Sequence, residues 1–190
     1  MIRRLQIFLS AACLAVLVAG CAKVPPPLDA SQVAPMKSGY MLAAGDRVRV
    51  TVFNEPALTG EYNVTPQGSI AFPLIGSVPV DGKTTDQLSD DIRRQLSGGG
   101  YINDPRVSSE VLSYRPYYIL GEVSKSGEYP FSNGLTIQQA VATAGGFTPR
   151  ANRGKIFLRR RNGEERTVDL SGPAVQVLPG DTIRVGERYF

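Results

Sequence analysis

"LAAGDRVRV", residues 42–50, contains the first stretch whose pattern dictates a fold. Gly45 and Asp46 suit a tight turn. After them Val48, Val50 and Val52 alternate with Arg47, Arg49 and Thr51. Period two with one apolar face predicts a half-buried strand. The same words recur as "GDTIRV", residues 180–185, where Ile183 and Val185 alternate with Thr182 and Arg184. Taken alone, the repeat is either one device used twice or two unrelated Gly-Asp turns.

Working outward, "EYNV", "GSIAF" and "GSVPV" are short runs separated by Pro and Gly, which predicts several small strands up to Val80. Thr84 with Gln87 three residues on forms a capping-box pattern. Leu88, Ile92 and Leu96 follow at four-residue spacing, giving a helix with one apolar stripe. Gly98, Gly99 and Gly100 stop it. They follow the helix and carry no Lys-Ser/Thr, so they do not make a phosphate loop. "RVSSEVLSY" (106–114) and "YYILGEV" (117–123) read as strands, and "SKSGEYPF" as a turn with a short return strand. Thr136 and Gln139 repeat the capping box before a second helix with Ile137, Ala140, Val141 and Ala144 on one face. "KIFLRRRNGEERTVDL" (155–170) reads as a hairpin about a two-residue Asn162-Gly163 turn. This order predicts an α+β chain of two small modules joined near residues 114–116, a β-rich first module with one helix and a second built around the hairpin.

The chain has 190 residues, 42% of them hydrophobic and 20% charged, with Gly 20 and Pro 14 in keeping with many turns. The formal net charge is +4. Without Arg3 and Arg4, which lie in the leader described next, 19 basic residues face 17 acidic ones, a net charge of +2. That is too little to point to nucleic acid.

Residues 1–20, "MIRRLQIFLSAACLAVLVAG", place two arginines before a short apolar run, shorter than the roughly 20 residues a membrane span needs. This is the pattern of a secretory signal peptide. Its end, "LVAGC" (17–21), resembles a bacterial lipobox, which implies that Cys21 is acylated, with palmitate as a typical chain, and becomes the first mature residue. Cys13 lies in the leader, so a mature chain has no second cysteine for a disulfide. Ala22 rather than Asp implies passage to the outer membrane. Residues 21–39 open with Pro25, Pro26 and Pro27 and lack periodicity, reading as a lipidated tether. At roughly 3 Å per residue it would hold the body several tens of Å from the membrane.

Residues 40–186 resemble the bacterial polysaccharide export protein family. The marks in the first module (40–114) are the Gly45-Asp46 turn, the Pro66-x-Gly68 turn, "FPLIG" and Gly82-x-Thr84 before the helix. In the second (115–190) they are Gly121-Glu122-Val123, Gly127 with Tyr129, and Ala144-Gly145-Gly146. The resemblance implies a polysaccharide export domain followed by an SLBB-like β-grasp domain, with each Gly-Asp turn launching an edge-defining strand. It also implies a periplasm-facing, lipid-anchored homo-oligomeric ring in the outer membrane and an inner-membrane polysaccharide co-polymerase as partner. Larger family members carry a C-terminal membrane-spanning helix. This sequence ends at "VGERYF", from which a separate outer-membrane channel is expected as a further partner. The alternative is a scaffold lipoprotein that binds envelope polysaccharide without conducting it.

No catalytic set emerges. The chain has no His, which removes Ser-His, Cys-His and His-based zinc sites. Neither a cofactor nor a metal site is expected, and a two-carboxylate glycosidase is the one hydrolytic arrangement still open. Asp90 with Arg94 reads as a solvated helical ion pair. The candidate polymer contacts are Arg159, Arg160, Arg161, Tyr117 and Tyr118. The arginines either meet acidic polymer or pair with Glu164 and Glu165 across the turn. The tyrosines, with Tyr114 and Tyr129, either stack on sugars or belong to core and interface.

Overall fold

The alternating valines form strand β1 (Arg47–Val52), with every second residue buried. In the computed structural model, which describes residues 25–28, 39–161 and 163–188, β1 pairs antiparallel with β2 (Gly60–Asn63) on one side and β5 (Val107–Ser113) on the other. The signal peptide, Cys21, most of the tether and Asn162 lie outside the described residues. A hairpin of β3 (Ser69–Phe72) and β4 (Gly76–Pro79) closes the first module, together with helix α1 (Thr85–Gly98). Both hydrogen bonds of the predicted capping box are present at Thr84. Leu88, Ile92 and Leu96 are fully buried against Val48, Val50, Ile70 and Val78. Their burial stabilises the module by roughly 2 kcal/mol each.

The second module is a five-stranded sheet in the order β7 (Gly127–Tyr129), β6 (Tyr117–Gly121), β10 (Thr182–Glu187), β8 (Ala151–Arg159), β9 (Glu165–Val168). The pair β6–β10 is parallel and the rest are antiparallel. Helix α2 (Ile137–Thr143), with its own complete capping box at Thr136, packs Ile137, Ala140 and Val141 onto the Ile119, Ile156, Leu158 and Ile183 face. The protein is α+β, with two separate apolar cores, and residues 114–116 run between β5 and β6. No helix among the described residues is long and apolar enough to cross a membrane.

Four local expectations change. First, neither Gly-Asp strand is an edge. β1 lies between β2 and β5, and β10 between β6 and β8, because a strand whose apolar face is wholly covered belongs at the centre of its core. Second, the β8–β9 hairpin pairs Ile156 with Val168 and Arg159 with Glu165, leaving a connection of residues 160–164 in which the Gly163 N–H donates to the Arg160 carbonyl. A two-residue turn at Asn162-Gly163 would shift the register by one and turn Val168 away from the core, so the apolar pattern overrides the turn preference. Third, Asp90 pairs with Arg93 at 2.7 Å rather than with Arg94, which goes to Asp91 beside Lys83.

The fourth concerns the tether. Residues Pro25–Leu28 do not hang free. They run parallel to β9, with the Thr167 N–H donating to Pro26 O (2.8 Å), the Leu28 N–H to Thr167 O (3.1 Å) and the Thr167 hydroxyl to Pro25 O (2.7 Å). Leu28 packs on the second core. Proline suits this edge because Pro25 and Pro26 contribute carbonyls alone.

Candidate functional site

The two Gly-Asp turns prove to be one device. In each, the Asp N–H donates to the carbonyl three residues back, Asp46 to Ala43 and Asp181 to Leu178, both at 3.1 Å. In each, a carboxylate oxygen accepts the N–H of that same residue at 2.8 Å. Gly45 (φ 91°) and Gly180 (φ 83°) occupy the third turn position, where the left-handed region excludes most side chains. Both aspartates are buried, at 1% exposure.

The turns meet at Arg115, in the segment that joins the modules. The Arg115 N–H donates to Asp46 Oδ1 (2.9 Å), its Nη1 to Asp46 Oδ2 (3.2 Å), and its Nε to the carbonyl of Pro179 in the second turn (3.0 Å). Nη1 also donates to the Tyr40 hydroxyl (2.7 Å), which in turn donates to Asp46 Oδ2 (2.6 Å). Burial, and then the hydrogen bond to Asp46, push the Tyr40 hydroxyl above the ordinary phenol range, so it remains a donor. The Asp181 carboxyl is pushed up to about 6, chiefly by burial, with Arg160 opposing. An edge-to-face chain of rings, Tyr40–Tyr114 at 4.8 Å and Tyr114–Phe131 at 5.4 Å, runs across the same seam. Beside it opens a cleft of about 370 Å³ lined by Tyr40, Tyr114, Phe131, Asn133 and Gln176. A second cleft, of about 520 Å³, lies on the Thr84–Ser109 side of the same tyrosine pair.

The predicted polymer contacts separate. Tyr117 is buried in the second core, its ring stacked on Tyr129 at 5.9 Å, and so cannot touch a polymer from that position. Arg160 turns to the seam, 3.5 Å from Asp181, and Arg161 reaches Asp81 of the first module at 2.9 Å. Glu165 pairs with Arg184 rather than across the hairpin tip. Tyr118 and Arg159 remain on the open face of the sheet, in one row with Thr182 between them. With strands about 4.8 Å apart, the row spans about 10 Å. The next row is Leu120, Arg184 and Phe157, where the guanidinium lies 4.1 Å from the ring centre. This face offers a tyrosine, a cation and an apolar strip.

Tyr40 and Arg115 carry no motif and were not among the sequence candidates. The signal that points to them is physical: two buried acids predicted at turns require a cation, and Arg115 is the cation at the predicted joint.

Comparison with known proteins divides the chain at the same joint. A family described as polysaccharide biosynthesis/export protein matches residues 34–112. An SLBB domain matches residues 116–169. The chain is 36% identical over 131 residues to the exopolysaccharide production protein ExoF of Rhizobium meliloti, covering 63% of this chain and 31% of that protein. It is 30% identical over 144 residues to the EPS I polysaccharide export outer membrane protein EpsA of Ralstonia nicotianae, covering 70% and 37%. The polysialic acid transport protein KpsD of Escherichia coli is 28% identical over 159 residues, covering 78% and 28%. The chain thus spans about a third of the length of these relatives.

Proposed function

Because the chain belongs to the polysaccharide export protein family, carrying its export domain followed by an SLBB domain, we propose that it is an outer-membrane lipoprotein, anchored at Cys21 and facing the periplasm, whose copies assemble into part of a capsule or exopolysaccharide export conduit. The family is one of export and transport proteins, not of enzymes. The observation that carries the reading is the uninterrupted order of the two domains, locked at Arg115 into one unit. A fixed angle between modules is what a ring subunit requires, since a small angular error at each copy would prevent closure. In this reading the partners are further copies of the chain, the polysaccharide, an inner-membrane co-polymerase and a separate outer-membrane channel. The open row of Tyr118, Thr182 and Arg159 is the polymer-contact candidate.

The test is polysaccharide on cells and in the medium after deletion of this chain and after its restoration. Loss on deletion, recovery with the intact chain, and no recovery with Cys21→Ser support export at the membrane. Unchanged external polysaccharide, with no second copy to compensate, removes the conduit reading.

A further inference from the structure

The two clefts beside the seam share one wall, the Tyr40–Tyr114 pair, and a different chemistry flanks it on each side. On the second-module side the wall continues into Phe131, with the side-chain amides of Asn133 and Gln176 beside it. On the first-module side it meets the carboxylates of Asp86 and Glu110. Both volumes, about 370 Å³ and about 520 Å³, fall within the roughly 300–1,000 Å³ of small-molecule sites. Tyr40, Tyr114 and Phe131 are half-buried, whereas Asn133, Asp86 and Glu110 are exposed. The rings are held before any ligand arrives. Tyr114 meets both of the other rings edge to face, and its hydroxyl accepts a hydrogen bond from the Asn133 amide at 3.3 Å. The Tyr40 hydroxyl is fixed by Arg115 and Asp46. A ligand that lands on rings already fixed loses little to their ordering.

We propose that the two clefts form one binding site for a neutral pyranose segment of the polysaccharide, separate from the open row of Tyr118, Thr182 and Arg159. The proposal rests on the export reading. A pyranose presents apolar C–H faces, which lie well on aromatic rings, and hydroxyls that both donate and accept. The amides of Asn133 and Gln176 bring donors and acceptors to those hydroxyls, and the carboxylates of Asp86 and Glu110 accept from them. Charge decides which sugar fits. Among the described residues lining the clefts there is neither lysine nor arginine. The cations nearby are already engaged: Arg115, behind Tyr40, binds Asp46, and Arg49, 3.4 Å from Glu110, binds Glu61 at 2.9 Å. An acidic sugar would therefore face Asp86 and Glu110 with no free cation to answer it. A neutral, hydroxyl-rich unit meets no such penalty. Phe131, Asn133 and Gln176 belong to the second module, and Asp86 and Glu110 to the first, so an occupied site bridges the joint.

The experiment titrates the full chain, purified in detergent, with cellohexaose, maltohexaose and xylohexaose as neutral probes and hexagalacturonate as the acidic one. Selectively ¹³C-labelled tyrosine and phenylalanine rings locate the contact by NMR. The expected result is that at least one neutral probe moves the Tyr40, Tyr114 and Phe131 signals with an affinity insensitive to salt, while hexagalacturonate leaves them in place. Asn133→Ala combined with Gln176→Ala should weaken that binding about tenfold, with the melting temperature as the check on folding. Asp86→Asn combined with Glu110→Gln should admit hexagalacturonate. Failure of every neutral probe to move these rings, tighter binding of hexagalacturonate there, or unchanged affinity in the amide double variant overturns the proposal. Shifts confined to Tyr118 and Phe157 overturn it too and leave the open face as the polymer contact. The export reading stands or falls on external polysaccharide after deletion, whatever these probes do.

Discussion

Arg115 binds Asp46 twice, once through its backbone N–H and once through its guanidinium, although 69 positions separate the two residues. The Asp46 side chain is wholly buried and that of Arg115 is 16% exposed. A pair of this kind fixes geometry more than it adds stability, because both ions are removed from water. Its loss from one side is costly.

Arg115→Ala therefore strands a buried carboxylate and should cost about 3 kcal/mol. It also cuts the link to Pro179 O, so urea unfolding should separate into two transitions, one for each module. Arg115→Lys keeps the charge, cannot serve Pro179 and Asp46 in the same fork, and should fall between. A single unshifted transition in Arg115→Ala would show that the seam carries no coupling.

Asp181 gives the protein a pH dependence of unusual sign. Its carboxyl is pushed up to about 6 by burial, so the folded chain binds this proton more tightly than the unfolded chain. The associated stability is full below the ordinary carboxyl value and is lost as pH rises through 6. Between about pH 5 and about pH 7.5 stability should fall by on the order of 1 kcal/mol. Glu61, Asp91, Glu165 and Asp169 are shifted down by their partners, so their contributions fade only below the ordinary carboxyl range, outside this window. Asp181→Asn retains an acceptor for the Leu178 N–H and should flatten the slope in denaturant titrations at the two pH values.

Two glycines should respond differently to alanine. A Cβ on Gly121 would lie 2.1 Å from the Val185 carbonyl oxygen of the neighbouring central strand, at φ 85°. Gly76, the first residue of β4, has φ 75° but open space around it. Gly76→Ala should cost about 1 kcal/mol for the left-handed backbone alone. Gly121→Ala must also push two central strands apart and should lower the melting temperature far more. Similar losses at both sites would remove the close-approach explanation.

Tyr117 and Tyr118 are adjacent and point to opposite faces. Tyr117→Ala opens a hole in the second core and should cost about 3–5 kcal/mol. Tyr118→Ala should leave the melting temperature nearly unchanged and, on the proposed function, weaken binding to the exported polysaccharide. Arg159→Ala should act in the same way, with a salt-dependent loss if the polymer is acidic. Affinity measured on immobilised polymer separates the pair.

Much of this architecture is local and therefore legible. Both capping boxes place Thr and Gln three residues apart, and their hydrogen bonds form within one helical turn. The valines of β1 announce their strand because side-chain period and pleat period agree. What escaped the sequence depended on distance. Arg115 and Asp46 are neighbours only after both modules have formed. The register of β8 and β9 was misread because Asn162-Gly163 is a strong local turn signal, while the competing demand, Val168 facing the core, is tertiary. Pro25–Pro27 read as a spacer because proline breaks ladders. At this edge Thr167 offers two donors, which the Pro25 and Pro26 carbonyls accept, and the one donor required comes from Leu28, so that objection vanishes. The polymer-contact candidates were chosen by residue type. Type does not reveal the face, and the face separates Tyr118 from Tyr117.

The central position of β10 sets the timing of folding. Among the strands of the described residues it comes last in the sequence, yet it joins β6 to β8 and places Ile183 and Val185 in the second core. While the chain is being synthesised from its N-terminus, the β6–β7 and β8–β9 pairs have no strand between them until residue 187 has emerged. The first module needs nothing beyond Val111 for its own core and can fold earlier. The second is all-or-none, so a chain cut before Thr182 should keep a folded first half and a protease-sensitive second half.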